Sequence, residues 1–238
     1  MNYKLKTKMS IKDNLLKIKS TIPSKVTLIA VSKTKPVSDL MEAYNAGQRV
    51  FGENKIQEMT QKWEQMPKDI QWHMIGHVQT NKVKYMAEYV NLIHGVDSLK
   101  LLQEINKQAA KHNRVIDCLL QIHIAEEESK FGLDENELEE ILHFVQTRGN
   151  AEQSGANDKL KNIKIVGLMG MATFTDNQSQ IKKEFLNLKS TFDKINSLSI
   201  FNYRLSIISM GMSGDYKLAI ECGSTMVRIG SSIFGNRK

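Results

Sequence analysis

Small residues and one arginine are concentrated near the end of the chain, in a pattern suited to binding an anion. Residues 209–213 read Ser-Met-Gly-Met-Ser, and residues 223–235 read Gly-Ser-Thr-Met-Val-Arg-Ile-Gly-Ser-Ser-Ile-Phe-Gly. Glycine lets a backbone approach a ligand closely, and serine adds a hydroxyl donor to the backbone N–H groups. Ser209, Gly230 and Ser231 are therefore candidate donors to a phosphate, with Arg228 beside them.

A lysine follows an apolar strand pattern near the start of the chain. Residues 28–33 read Leu-Ile-Ala-Val-Ser-Lys, which predicts a buried strand that ends in Lys33. A desolvated lysine is more easily neutral, and its amine can then attack an aldehyde to form a Schiff base. The alternative is a solvated lysine in the loop that also holds Lys35 and Pro36. Together, the lysine, the phosphate donors and the arginine are what a pyridoxal 5′-phosphate site requires.

Arg228 lies two residues before Gly230, and the alternation of side chains along a strand places both on one face. If Gly230 and Ser231 hold a phosphate, Arg228 would reach the ring end of the same ligand. Arginine stays charged and can only donate to a pyridine nitrogen, which leaves that nitrogen unprotonated and weakens the cofactor as an electron sink. The alternative is a structural arginine that is bound to a carboxylate.

For other polar residues at the predicted strand ends, both a functional and a structural role are possible. Ser209 could donate to the phosphate or lie in a turn, and Asn54 could bind a ring hydroxyl, cap the next helix, or do both. His73 and His77 could suggest a metal site, but Gly76 and the apolar pattern around it predict a strand. A third ligand is also missing, so we predict no metal site.

Apolar, β-rich segments alternate with helical patterns along the chain, which predicts parallel strands covered by helices. Eight such strands in 238 residues favour a single (β/α)8 TIM barrel with an extra N-terminal helix. The alternative is a doubly wound sheet, but no glycine-rich turn follows the first strand. The predicted strands are 26–33, 49–54, 71–76, 92–97, 115–124, 163–172, 205–210 and 226–231. The predicted helices are 37–46, 55–65, 82–89, 99–111, 135–146, 180–198 and 215–221.

Three helix starts carry a polar signal in the sequence. Asp134 with Glu137, and Asn54 with Gln57, each form a capping-box pattern, and Asp97 precedes another helix. These positions agree with the predicted boundaries between strands and helices.

The positive charge of the chain is concentrated at its N-terminus. Residues 1–25 hold seven lysines against one aspartate, out of a net charge of +7. We predict a basic tail and helix over 1–25 and a barrel over 26–238. No nucleic-acid motif accompanies the lysines, and no apolar segment is long enough to span a membrane. We therefore expect a cytoplasmic protein without nucleic-acid or membrane partners.

The two cysteines and one polar stretch indicate the compartment of the protein and the position of a surface loop. Cys118 and Cys222 lie in apolar or helical segments without metal-ligand spacing, so we expect packed thiols in a reducing compartment. The polar stretch 148–162, rich in Gly, Ser and Asn, predicts a surface loop before the sixth strand.

With these residues in place, the chain resembles the pyridoxal-phosphate homeostasis protein family, which consists of alanine-racemase-like barrels that bind pyridoxal phosphate. The matching motifs follow one another over nearly the whole barrel, and the last of them is highly specific. They are 30–36 (Ala-Val-Ser-Lys-Thr-Lys-Pro), 51–54 with Gln57 and Glu58, 72–76 with Gln79, Asn81 and Lys82, 167–169, 209–213 and 223–235.

The resemblance implies a role for each candidate residue. It implies that Lys33 carries pyridoxal phosphate as a Schiff base, and that Ser209, Gly230 and Ser231 hold the phosphate. It also implies that Arg228 faces the pyridine nitrogen. The family has no established reaction, so the resemblance implies a protein that buffers pyridoxal phosphate and delivers it to pyridoxal-phosphate-dependent apo-enzymes.

The main alternative function is an amino-acid racemase, which needs an acid/base group on each face of a planar intermediate. Lys33 could serve one face, but resembling racemases supply the second group, a tyrosine, from an additional domain of a partner chain. We expect that domain to be absent here, so we predict a binding protein without catalytic residues, and a monomer. A third reading, an aldolase-type barrel acting on a sugar phosphate, leaves Arg228 without a role.

Overall fold

A closed barrel of eight parallel strands forms the centre of the protein in the computed structural model, which describes residues 9–127, 131–149 and 160–236. Each strand pairs with the next along the chain, and the last pairs with the first. The strands are β1 Thr27–Val31, β2 Val50–Glu53, β3 Gln71–Met74, β4 Leu92–Val96, β5 Ile116–Gln121, β6 Ile163–Met169, β7 Ile207–Ser209 and β8 Met226–Ile229. The predicted TIM barrel is confirmed.

All eight strands lie inside the predicted ranges, and all are shorter than predicted. The predicted ranges included the polar residues that follow each apolar segment. In the barrel these residues leave the hydrogen-bonded ladder and form the loops at its C-terminal mouth, where barrel enzymes have their active sites. Lys33, Asn54 and Ser231 are three such residues, and each lies just beyond its strand.

Helices cover the barrel between the strands, as predicted. They are α1 Ile11–Lys19, α2 Val37–Asn45, α3 Ile56–Gln65, α4 Leu99–Lys111, α5 Glu135–Gly149, α6 Gln178–Ser197, α7 Tyr216–Glu221 and α8 Ser231–Phe234, with a 3₁₀ helix at Thr80–Tyr85. Two details differ from the prediction. The helix predicted at 82–89 is the short 3₁₀ segment, and Ser231 starts α8 instead of ending β8.

Two of the three helix-start signals are confirmed. The Asp134 N–H donates to Glu137, and the Glu137 N–H donates back to Asp134 at 2.8 Å, which is a complete capping box. The prediction for Asn54 is wrong, because α3 follows Lys55 and has no side-chain cap. Asp97 precedes α4, as predicted, and the adjacent Ser98 accepts the hydrogen bond at the start of that helix.

The core has two parts, one between the barrel and its helices and one inside the barrel. The inner part is small because strand residues that point inward must fit a closed interior. Gly167 of β6 packs directly against β7, since a Cβ there would come within 1.9 Å of the Ile207 carbonyl oxygen. Cys118 and Cys222 are buried free thiols, and burial raises the pKa of Cys118, which keeps it inert.

The N-terminal helix packs on the barrel. Leu15 of α1 has no exposed surface, and the Asn14 side chain donates to the carbonyl of Ile233 in α8 at 3.1 Å. Residues 1–8 of the predicted basic tail lie outside the described residues, as does most of the predicted 148–162 loop. No helix in the described part of the chain has the length and apolarity needed to cross a membrane.

Candidate functional site

A cavity of about 830 Å³ opens at the C-terminal mouth of the barrel. Five of the six predicted site residues line it, namely Lys33, Asn54, Arg228, Gly230 and Ser231. They come from the ends of β1, β2 and β8, which closure of the barrel brings to one place. The sixth, Ser209, has no exposed surface and does not line the cavity.

Lys33 lies in a tight turn at the end of β1. The turn is closed by a 3.0 Å hydrogen bond from the Lys35 N–H to the Ser32 carbonyl, so that Lys33 and Thr34 are its two central residues. Thr34 has a φ of 65°, a conformation that is unusual for a β-branched residue and costs about 1–3 kcal/mol. The Thr34 N–H donates to Glu58 at 2.6 Å, so contacts outside the turn hold this strained backbone in place.

Arg228 projects from β8 into the interior of the barrel and is almost fully buried. Its guanidinium donates to the Ser209 carbonyl at 2.8 Å, to the Ser209 hydroxyl at 2.7 Å and to the Gly170 carbonyl at 3.0 Å. Burial lowers the pKa of Arg228 to about 10, while Asp215 opposes this shift. The side chain therefore stays charged at neutral pH and presents a fixed hydrogen-bond donor at the cavity.

A buried polar chain lies behind Arg228. The Ser209 hydroxyl is 3.0 Å from Nδ1 of His94, and Nε2 of His94 is 3.1 Å from Nδ1 of His73. Burial lowers the pKa of His73 to about 3 and the pKa of His94 well below its usual value, so both rings are neutral at pH 7. Ser209 thus links Arg228 to these rings, whereas the sequence pattern suggested a phosphate donor.

Small residues and backbone donors after β7 and β8 line the cavity next to the end of β1. Ser213, Gly230 and Ser231 line it together, and the Gly230 N–H lies 3.3 Å from the Ser213 hydroxyl. The first N–H groups of the α8 turn, at Ser231 and Ser232, have no acceptor within that turn. A Cβ on Gly230 would lie 3.0 Å from the Val31 carbonyl oxygen, so a larger residue would push this backbone away from β1.

Sequence reasoning missed Ser213 as a site residue. The motif 209–213 contains two serines, and only the length of β7 decides which one reaches the mouth. Because β7 ends at Ser209, that side chain stays in the barrel wall while the chain continues to Ser213 at the cavity. The sequence did offer one signal for Ser213: it lies four residues after Ser209 in the same motif of small residues.

The remaining lining of the cavity comes from three other loops. The Asn54 side chain takes no part in capping α3 and is half-buried at the cavity, and Gly76 packs against its backbone. His77 shares a 2.9 Å hydrogen bond with Asp97 and stacks on Phe131 at the rim. His73 and His77 therefore belong to separate networks, and no group of three or more potential metal ligands occurs among the described residues.

Lys35 connects two of the segments that line the site. Its Nζ donates to the carbonyls of Phe234 and Asn236, each at 3.0 Å, and it lines the cavity beside Lys33. This contact joins the turn after β1 to the segment that follows β8, which is also its neighbour in the barrel.

This barrel, with a lysine after β1 and a buried arginine on β8, is of the alanine racemase type. The chain belongs to the family described as the alanine racemase N-terminal domain, whose family model matches residues 8–238. Within it the chain belongs with the pyridoxal phosphate homeostasis proteins, the family predicted from the sequence motifs. It is 38% identical to the protein of that name from Aquifex aeolicus over 212 residues, which cover 89% of this chain and 87% of the relative. The protein of that name from Pasteurella multocida is 35% identical, with 96% and 98% covered.

Solved structures give the same grouping. PipY from Synechococcus elongatus with pyridoxal phosphate bound superposes with a TM-score of 0.83 and 32% identity, covering 95% of this chain and all of PipY. An alanine racemase from Clostridium difficile in complex with cycloserine has a TM-score of 0.75 at 15% identity, covering 96% of this chain and 60% of the racemase. At 15% identity, the similarity to the alanine racemase shows only that the two proteins share a fold.

Proposed function

We propose that this protein binds pyridoxal 5′-phosphate through a Schiff base with Lys33 and acts in the intracellular homeostasis of that cofactor. One observation carries the proposal: Lys33, Arg228 and the small-residue segment around Gly230 line a single cavity. The PipY structure with pyridoxal phosphate bound and the names of the curated relatives support the same cofactor.

The side chains present at the cavity fit this cofactor. When bound, pyridoxal phosphate supplies an aldehyde that a primary amine can attack and a ring that can withdraw electrons. The Lys33 amine is the group that bonds to the aldehyde. Ser213, whose hydroxyl accepts from the Gly230 N–H, binds the phosphate together with the backbone N–H of Ser231, and Asn54 binds the ring hydroxyl. Gly230 supports this arrangement because, without a Cβ, it packs closely against Val31 and so fixes the position of the α8 turn.

Arg228 would face the pyridine nitrogen as a donor. Its guanidinium is charged and can only donate, so it cannot accept a hydrogen bond from a protonated ring nitrogen and leaves that nitrogen unprotonated. An unprotonated ring withdraws electrons weakly, which suits a protein that stores the cofactor without using it on a substrate. In this proposal Ser209 positions Arg228 instead of binding the phosphate.

The racemase alternative is not favoured. Racemisation needs a second acid/base group opposite Lys33, a role that the sequence analysis assigned to a tyrosine. None of the five tyrosines in the described part of the chain lines the cavity. The relatives with 35% to 39% identity carry the name pyridoxal phosphate homeostasis protein.

We extend the proposal to the fate of the bound cofactor. The protein buffers a reactive aldehyde in the cytoplasm and releases it to pyridoxal-phosphate-dependent apo-enzymes, as a monomer. Transfer is tested by mixing the loaded protein with an apo-enzyme and following the recovery of that enzyme's activity. If pyridoxal phosphate reaches the apo-enzyme no faster than it dissociates spontaneously from the loaded protein, delivery is excluded and only the buffering role remains.

The experiment that tests the binding function is a titration of the ligand-free protein with pyridoxal phosphate, followed by visible absorption. We expect a long-wavelength Schiff-base band that saturates at one equivalent. The loaded protein is then incubated with L-alanine, and no D-alanine should accumulate. Absence of the band would overturn the proposed function, and D-alanine formation at an enzymatic rate would restore the racemase alternative.

Gly230→Ala should weaken phosphate binding. The added Cβ would meet the Val31 carbonyl oxygen at 3.0 Å and Val31 Cβ at 3.2 Å, which moves the donors of the α8 turn. We expect affinity for both pyridoxal phosphate and pyridoxine phosphate to fall about tenfold, or about 1.4 kcal/mol. Gly214→Ala is the matched control, because a Cβ there meets nothing within 4 Å. Equal effects of the two substitutions, measured by fluorescence titration, would contradict this account.

A further inference from the structure

A buried cluster of three charged side chains lies beside the turn that carries Lys33. We name it the Lys62 cluster: Lys62 and Glu58 of α3, and Glu53 of β2. Glu53 has no exposed surface and Lys62 is 5% exposed. Lys62 Nζ lies 2.7 Å from an oxygen of each glutamate, and Glu58 and Lys62 are one helical turn apart. None of the three lines the cavity.

All three donors of the Lys62 ammonium are engaged. Two go to Oε1 of Glu53 and Oε1 of Glu58, and the third goes to the Ser32 carbonyl oxygen at 2.8 Å. An ammonium with three good acceptors from three different elements fixes those elements relative to one another. Here the elements are α3, the end of β2 and the residue that precedes Lys33.

The cluster holds the backbone on both sides of Lys33. On one side, the Ser32 hydroxyl donates to Glu53 at 2.6 Å and the Ser32 carbonyl accepts from Lys62. On the other side, the Thr34 N–H donates to Glu58 at 2.6 Å. Thr34 has a positive φ, and such a conformation persists only where surrounding contacts determine it.

The remaining oxygen of Glu53 argues against a role limited to stability. Oε2 of Glu53 is buried and has no hydrogen-bond partner among the described residues. Burial raises the pKa of Glu53, although the Lys62 charge opposes that shift. A buried ion pair with an unsatisfied carboxylate oxygen carries a large desolvation cost. Apolar residues of similar size often stabilise a fold as well or better.

We propose that the Lys62 cluster is a positioning device for Lys33, which holds the turn so that the Lys33 amine meets the aldehyde carbon of a ligand whose phosphate is already bound. The inference rests on the proposed function, since it assigns Lys33 to the aldehyde. It makes Lys62, Glu53 and Glu58 positioning residues for formation of the Schiff base. Among the described residues, the hydrogen bonds of the cluster run to Ser32 and Thr34 and not to Ser213, Gly230 or Ser231, so its loss should leave phosphate binding unchanged.

The test compares two ligands on the variant Lys62→Met, which keeps the length of the side chain and removes its charge. Pyridoxine 5′-phosphate carries the same phosphate and ring as pyridoxal phosphate but has no aldehyde. We expect Lys62→Met to bind pyridoxal phosphate about tenfold more weakly while pyridoxine phosphate affinity changes less than twofold. Equal losses for both ligands, or no loss for either, would overturn the proposal.

Lys189→Met is the matched control, since Lys189 also pairs with a carboxylate one helical turn away but lies in α6, away from the cavity. It should change neither affinity. If wild-type protein gives no Schiff-base band with pyridoxal phosphate, the proposed function has failed. If wild type gives the band and Lys62→Met gives equal losses, only the positioning role has failed.

A second measurement applies if Lys62→Met does not fold. Glu58→Ala removes the acceptor of the Thr34 N–H from the more accessible member of the cluster, with its side chain 23% exposed, and leaves the Lys62–Glu53 pair in place. In the ligand-free protein, hydrogen exchange at the Thr34 amide should accelerate at least several-fold, with the β1 amides of Ile29 and Ala30 unchanged. Unchanged exchange at Thr34, or equal acceleration throughout β1, would overturn the positioning role.

Discussion

Lys33→Ala is expected to abolish the long-wavelength absorption band of the protein with pyridoxal phosphate. Without the amine no Schiff base can form, while Ser213, Gly230 and Ser231, the residues we propose for the phosphate, still line the cavity. Binding should therefore persist in a weaker, non-covalent form. We expect the dissociation constant to rise about a hundredfold, equivalent to about 2.8 kcal/mol. Visible absorption and equilibrium dialysis measure the two effects.

Lys35→Ala is the matched control for that substitution. Lys35 lines the same cavity two residues away, but its Nζ is engaged by the carbonyls of Phe234 and Asn236. Lys35→Ala should keep the band, with only a modest loss of affinity from loosening the contact between β1 and α8. If Lys33→Ala kept the band and Lys35→Ala lost it, the assignment of the Schiff base would have to move to Lys35.

Acidification should destabilise the protein through its two buried histidines. Burial lowers the pKa of His73 from its usual 6.5 to about 3, and it lowers the pKa of His94 in the same direction. Between pH 6.5 and about pH 3, His73 binds a proton in the unfolded chain but not in the folded protein. The free energy of unfolding therefore decreases as the pH falls below 6.5. At pH 4.5, His73 alone should lower the free energy of unfolding by about 2.7 kcal/mol.

Urea unfolding at pH 7 and pH 4.5 tests this prediction. His73→Gln should reduce the difference in unfolding free energy between the two pH values, whatever it does to stability at pH 7. His112→Gln is the control, because His112 is exposed at the end of α4 and should leave the difference unchanged. An undiminished pH dependence in His73→Gln would show that this ring is not neutral in the folded protein.

Much of the fold could be predicted from local patterns. Strand and helix types follow from apolar periodicity, and the capping box at Asp134 forms because both of its partners lie within one helical turn. The exact strand ends could not be predicted in the same way. They depend on where neighbouring strands stop pairing, which is a property of the closed barrel. For Asn54 the sequence leaves a helix cap and a ligand contact both open, and the structure excludes only the cap.

The candidate site shows the same division between local and tertiary information. Lys33 and Gly230 carry their signals in their immediate neighbours, and both line the cavity. The chain from Arg228 through Ser209 to His94 joins residues from β8, β7 and β4, and no local pattern marks it. The Lys62 cluster could not be predicted either, because it joins residues of α3 and β2 and because a lysine on an amphipathic helix usually faces solvent.

The most direct test of the central claim is to identify the residue that holds the cofactor. The protein loaded with pyridoxal phosphate is reduced with borohydride, digested, and the modified peptide is mapped by mass spectrometry. The account predicts a stable adduct on Lys33 at one equivalent per chain, with the long-wavelength band lost on reduction. An adduct on another lysine, or none after loading to saturation, would contradict it.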